Sequence, residues 1–315
     1  MYKQKKIYAV YRLLYGEDFI KESIESILKY VDKIFIFWSD YPFHKVKGVN
    51  YNGEYIRFPN KFDNSIEIIK SIDSDKIVLV NEHFETNTNS FTKMYNEHIL
   101  VEYDECDILM MIEVDHVFRE DQLVLALDEF IDSDLPAATT EQWEIWKGFN
   151  HCVPQWNDPV VKISFPENII NSKNYKNIVD FYSQQNPRKR MCTMFLDMNY
   201  YGMLPPTGMH CNPLNIPFHH NKYRLKARTH NFGFAKSYKI MRWAHLIAVA
   251  VSHLNGDTVG NEDWLDEKWV NWTSEMENLE GCIGYEWHIP RCVPYPYEEL
   301  PESIKKITDK IRYKS

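Results

Sequence analysis

Four short segments of this chain, residues 7–14, 33–38, 77–80 and 108–114, carry almost no polar side chains. A strand with one face in water alternates apolar and polar residues, so near-continuous apolar runs of this length must be covered on both faces. Helical patterns separate them. Residues 17–31 place Ile20, Ile24, Ile27, Leu28 and Val31 on one stripe, with Glu17 and Asp18 at the start, and residues 90–103 and 120–131 also read as helices. This alternation predicts an α/β fold with a mostly parallel sheet flanked by helices. In such sheets ligands bind beyond the carboxyl ends of the strands, where Arg12, Asp40, Asn81 and Asp115 stand.

From residue 136 the pattern becomes irregular and rich in Trp, Pro and His, apart from a helix at 236–254 and an amphipathic closing helix at 299–314. No clean linker or internal repeat divides the chain. The expected arrangement is one catalytic domain over 1–255, with 256–315 as an irregular C-terminal elaboration packed on it. With 36 basic against 45 acidic residues the net charge is −9, which disfavours nucleic acid as a partner. The longest apolar run, 246–251, is far below the roughly 20 residues of a transmembrane segment. Six cysteines lie scattered without a C-x-x-C pair, suiting reduced thiols, and the N-terminus lacks a signal-peptide pattern, so the expected location is cytoplasmic. His210, Cys211, His219 and His220 match no zinc spacing. Neither G-x-G-x-x-G, a P-loop nor G-x-S-x-G is present, which removes dinucleotide dehydrogenases and P-loop NTPases and disfavours α/β hydrolases.

The sharpest chemical signal is Ile112-Glu113-Val114-Asp115-His116. Residues two apart on a strand point to the same side, so Glu113 and Asp115 are expected to face one site. Paired carboxylates repel unless a divalent cation joins them, and such a cation leaves positions open for phosphate oxygens. A second pattern sets Lys222, Arg224, Lys226, Arg228 and His230 against Tyr223, Leu225 and Ala227. On a strand this makes a basic stripe suited to the charge of a departing diphosphate, or simply a solvated edge.

The acidic triplet at the end of an apolar strand resembles the GT-A glycosyltransferases, especially the family 2-like group. The first strand and helix, Ser39-Asp40 after the second strand, and Lys93 with Asn96 before the triplet are similar to that group, over about residues 5–130 and 220–255. The resemblance implies a GT-A-like nucleotide-sugar domain in which Arg12 meets the nucleotide, Asp40 contacts the base, and Lys93 and Asn96 help hold it. Within Glu113-Val114-Asp115, it implies that Asp115 ligates a metal and that Glu113 lies near the ribose or the metal. Thr229 to Lys236 (T-H-N-F-G-F-A-K) resembles the H-x-x-G stretch of bacterial members, making His230 a third ligand; an imidazole there favours Mn²⁺ over Mg²⁺.

A catalytic base is expected at Glu262 or Asp263, or at Glu141. The acidic pair usually precedes the His-x-x-Gly stretch in that group and here follows it. Trp143 and Trp146 could stack on a sugar or fill core. The implied activity is metal-dependent, inverting transfer of a sugar from a nucleoside diphosphate sugar, such as a UDP-sugar, to a hydroxyl of a glycan or related acceptor. The alternatives are a nucleotidyltransferase, for which no glycine-rich basic loop is present, and a nucleotide-sugar-binding protein without turnover.

Overall fold

The structure is a computed structural model that describes residues 1–41, 46–51, 53–83, 93–133, 137–146, 149, 151–154, 194–201, 224–235, 238–255 and 293–307. The chain opens with β1 (Ile7–Leu13), α1 (Ile20–Ile27), β2 (Lys33–Trp38), the hairpin β3 (Gly48–Tyr51) and β4 (Glu54–Arg57), α2 (Ser65–Lys70) and β5 (Ile77–Asn81). A π-helical stretch, Met94–Ile99, runs into α3 (Leu100–Glu102), followed by β6 (Ile108–Ile112), β7 (His116–Val117) and α4 (Glu120–Ile131). Then come β8 (Ala137–Trp146), β9 (His151–Pro154), β10 (Met194–Asp197), α5 (Met198–Tyr201), β11 (Arg224–Phe234), α6 (Tyr238–Asn255), β12 (Val293–Pro294) and α7 (Glu302–Lys305).

The four apolar segments form one parallel unit in the order β5-β2-β1-β6. Past β6 the sheet changes character. β10 runs antiparallel to β6 and β8, β9 to β8, and β12 to β9, while β11 lies parallel to β8 and antiparallel to β7. Strand alternation sends Ala9, Tyr11, Ile36 and Met110 to one face, under Ile24 and Ile27 of α1 and Leu123 and Leu127 of α4. Tyr8, Val10, Phe35, Phe37 and Met111 go to the other, against Met94, Tyr95 and Ile99. Both faces are dry, so β6 reads Ile-Leu-Met-Met-Ile with every residue buried.

Three of the boundaries that differ from the sequence reading have a visible cause. α1 begins at Ile20 rather than Glu17 because the preceding loop is held by a distant carboxylate. Asp63 Oδ2 accepts the Gly16 and Glu17 N–H groups at 2.6 and 2.9 Å, while Glu17 turns away to Lys239 Nζ at 2.7 Å. β6 stops at Ile112, two residues early, where a turn takes over. Near the end, Pro301 separates a 3₁₀ turn, Tyr297–Glu299, from α7, so the described residues there hold two short pieces in place of a continuous helix. Among the described residues no helix is long and apolar enough to cross a membrane.

Candidate functional site

Beyond Ile112 the chain turns, closed by the His116 N–H donating to the Glu113 carbonyl at 3.1 Å. The two carboxylates are therefore aimed by a turn and not by strand pleat. Glu113 Oε1 accepts from Arg12 Nη2 at 2.9 Å, a partly buried pair linking the ends of β6 and β1. Asp115 is 8% exposed, with His116 Nε2 4.0 Å from its Oδ1. Glu113, Val114 and Asp115 nonetheless line one cavity of about 200 Å³, beside Arg12, Tyr15, Trp38 and Ser39. Its far wall includes Glu82, His83 and Met94. Ser39 Oγ and His83 Nδ1 are 3.1 Å apart, and Glu82 Oε2 lies 3.1 Å from His98 Nε2, which ties the ends of β2 and β5 to the π-helical stretch. π-Helical turns of this kind occur often at functional sites.

Gly16 supports the triplet from behind. A Cβ there would sit 3.1 Å from Leu13 Cδ1 and 3.2 Å from Val114 Cβ, so the loop after β1 lies against Val114 because residue 16 has no side chain.

β11 passes the same turn. His230 pairs with Val117 and Asn231 with His116, and the Phe232 N–H donates to the Asp115 carbonyl at 2.9 Å. Neighbouring strand residues point to opposite sides. On the Asp115 side lies Gly233, whose notional Cβ would be 3.2 Å from Asp115 Oδ2 and 3.0 Å from Asn231 Oδ1. On the other side, His230 Nε2 meets the Tyr295 hydroxyl at 2.6 Å and its ring stacks on Phe232, in an aromatic cluster with Trp143. His230 is completely buried, and its pKa is pushed down to about 3 by that burial, aided by the cations Arg119 and Arg228.

His230, the expected third ligand, is thus hydrogen-bonded to Tyr295 and is not among the residues that line the Asp115 cavity. The basic stripe has other neighbours as well. Lys226 and Arg228 alternate outward as expected, but their N–H groups are taken by Glu129 and Gln122 of α4, and the Arg228 guanidinium lies 4.2 Å over the Trp143 ring. Arg228 is not part of the cavity lining. Lys93 stands at the start of the π-helical stretch with Nζ 3.8 Å from Glu97, and it is Met94, rather than Lys93 or Asn96, that reaches the cavity wall. Asp40 borders an adjoining cavity of about 260 Å³ with Lys61 and Lys70; Leu13, Leu14, Trp38 and Ser39 belong to both. Glu141 sits on β8 in register with Arg228. Glu262 and Asp263 lie outside the described residues.

Sequence reasoning missed Tyr15, Glu82 and His83, which line the same cavity. Inspecting two or three residues past each strand, instead of one, would have found them. A larger, shallow depression of about 530 Å³ around Lys6, Tyr8 and Asp32 lies at the opposite end of the parallel strands, away from where ligands bind in open α/β sheets.

No family model matches the chain, and no curated protein is significantly similar to it. Solved structures similar to it include S. aureus TarS residues 1–349, at 12% identity and a TM-score of 0.38 over 87% of this chain and 73% of that one. The same fragment in complex with UDP gives 10% identity and a TM-score of 0.39, over 84% and 71%. Glucosyl-3-phosphoglycerate synthase from Mycobacterium tuberculosis, with Mn²⁺, UDP-glucose and phosphoglyceric acid, gives 9% identity and a TM-score of 0.43 over 82% of each chain.

Proposed function

We propose that this chain is a metal-dependent glycosyltransferase of the GT-A type, transferring a sugar from a nucleoside diphosphate sugar, with UDP the expected nucleotide, to a hydroxyl acceptor. The carrying observation is that Glu113 and Asp115 border one cavity at the carboxyl ends of β1, β2 and β6. The triplet that puts them there is the one whose sequence resembles that group.

Mg²⁺ and Mn²⁺ fit this donor set. Such ions are commonly held by one or two carboxylates together with substrate phosphates, rather than by a closed protein cage. Asp115, with Glu113 beside it, supplies oxygen donors of this kind, and no group of three His, Cys, Asp or Glu converges among the described residues. Because these donors are oxygens, either Mn²⁺ or Mg²⁺ would serve in this reading. When bound, the ion would neutralise the diphosphate leaving group.

The chain's own residues do the rest. Arg12 fixes Glu113 at the cavity edge and adds positive charge near an incoming anion. Trp38, Tyr15 and Tyr41 offer aromatic walls to a base. Deprotonation of the acceptor hydroxyl is assigned to Glu262, Asp263 or Glu141. A screen of nucleotide sugars with Mn²⁺ or Mg²⁺, scored for donor hydrolysis and transfer with Asp115→Ala as control, tests the proposal. Turnover by the parent and not by the variant is the expected result. Equal turnover in both, or consumption of a nucleoside triphosphate with pyrophosphate release, would overturn it.

A further inference from the structure

β5 is the outer strand of the parallel unit and pairs, among the described strands, with β2 alone. The Ile34 N–H donates to the Lys76 carbonyl at 2.8 Å and the Glu82 N–H to the Trp38 carbonyl at 3.0 Å. The N–H and C=O of one strand residue point the same way, and the direction alternates along the strand. The even-numbered residues from Lys76 to Glu82 therefore turn their main-chain groups to β2, and Ile77, Leu79 and Asn81 turn theirs outward. Among the described residues no hydrogen bond reaches these outward groups. Open edges are ordinarily guarded by lysine, proline or a bulge. β5 has no such guard: it reads Ile-Val-Leu-Val-Asn in unbroken register with β2. Lys76, just before it, is turned inward, its Nζ donating to the Leu28 and Val31 carbonyls at 2.9 and 2.8 Å. The four apolar residues of β5 are only partly buried, whereas those of β6 are all buried.

We infer that the edge of β5 is a self-association surface, on which β5 of a second copy of this chain lies antiparallel about a two-fold axis at Leu79. In that register the strand is complementary to itself. Leu79 comes opposite its own copy and Ile77 opposite Asn81, so every outward group of the strand is satisfied, each pair exchanging both of its N–H···O bonds. Centring the axis on Val78 or Val80 instead leaves Asn81 or Ile77 without a partner on the strand. Val78 faces Val80 on one side of the sheet and Leu79 faces Leu79 on the other, which continues both apolar layers across the axis. The charges agree as well: Lys76 falls opposite Glu82 and Asp75 opposite His83, so no like charges meet. An unrelated strand would gain the main-chain bonds without this match of side chains and charge, and a two-fold interface is built from one surface meeting itself.

Sedimentation velocity of the full chain tests this, with circular dichroism to establish that each variant is folded. The parent is expected at twice the chain mass. Asn81→Pro deletes an outward N–H that β2 does not use and removes no core side chain. It should raise the dimer dissociation constant about tenfold or more, through the main-chain bonds lost on both sides of the axis. Leu79→Lys and Leu79→Glu each set like charges face to face, and should sediment as monomers when alone and as a dimer when mixed. In Leu79→Cys the two Cα atoms would lie about 5.5 Å apart, within reach of a disulfide. That variant should cross-link under mild oxidation, whereas the parent and Val101→Cys, at an exposed position off this edge, should not. A parent that stays monomeric at every concentration overturns the inference. So does a dissociation constant unchanged in folded Asn81→Pro, or a Leu79→Cys chain that cross-links no more than Val101→Cys.

Discussion

Adjacent residues of β11 point to opposite sides: His230 is a hydrogen-bonded core histidine, whereas Asn231 shares the Asp115 side of the strand. Residue type drew attention to His230, and only its hydrogen bond to Tyr295, 65 residues away, shows where it points. Its depressed pKa has a testable sign. An unfolded histidine titrates near 6.5, whereas His230 in the fold stays neutral down to about 3. Below pH 6.5 the unfolded state therefore binds a proton that the native state refuses, and stability falls as pH drops toward 3. By pH 5 this amounts to about 2 kcal/mol, from 1.36 kcal/mol per pH unit. Denaturant unfolding of the parent and His230→Phe from pH 7 to 5 should show the parent losing about that much more. Parallel curves would mean that His230 is protonated in the native state.

The loop between β1 and α1 and the segment before α2 are latched by Asp63, whose carboxylate accepts from the N–H groups of Gly16, Glu17 and Ser65 and from the Ser65 hydroxyl. Removing a buried acceptor leaves donors unsatisfied, so Asp63→Ala should cost about 3 kcal/mol, measured as a lower urea midpoint. Gly16→Ala presses on Leu13 and Val114, and should weaken nucleotide binding while costing about 1–3 kcal/mol of stability. An unchanged affinity in Gly16→Ala would show that the triplet tolerates movement. β2 and α4 run over the residues that the apolar patterning marks, because short-range turn chemistry bounds them. The latch was not legible: Asp63 lies 46 residues from Glu17, and no local pattern reports such a pairing. The Glu113–Asp115 alternation failed for a related reason, since a turn replaced the strand two residues sooner than hydrophobicity indicated.

Across the whole molecule, a parallel four-stranded unit carries the acidic turn, and antiparallel additions ending in the segment 293–307 brace it from the far side of β11. That segment buries Leu300 and Ile304 in the cluster holding Phe19, Phe232 and Tyr295, with Arg119 paired to Glu299. Leu300→Ala should cost about 2–5 kcal/mol by thermal or chemical unfolding, and a change below that range would mean that the segment braces nothing. The parallel unit was readable from patterning alone, because burial on both faces strips a strand of polar residues. How β11 and residues 293–307 close on it was not, because His230 and Tyr295 are 65 residues apart. A chain of net charge −9 offers a nucleoside diphosphate little long-range attraction, so binding should depend on a cation at the triplet. Calorimetric titration of UDP into the parent and Asp115→Ala, each with Mg²⁺, with Mn²⁺ and with chelator, tests this most directly. Metal-dependent binding in the parent, abolished by chelator and by Asp115→Ala, is the expected result; UDP affinity indifferent to both metal and Asp115 would contradict it.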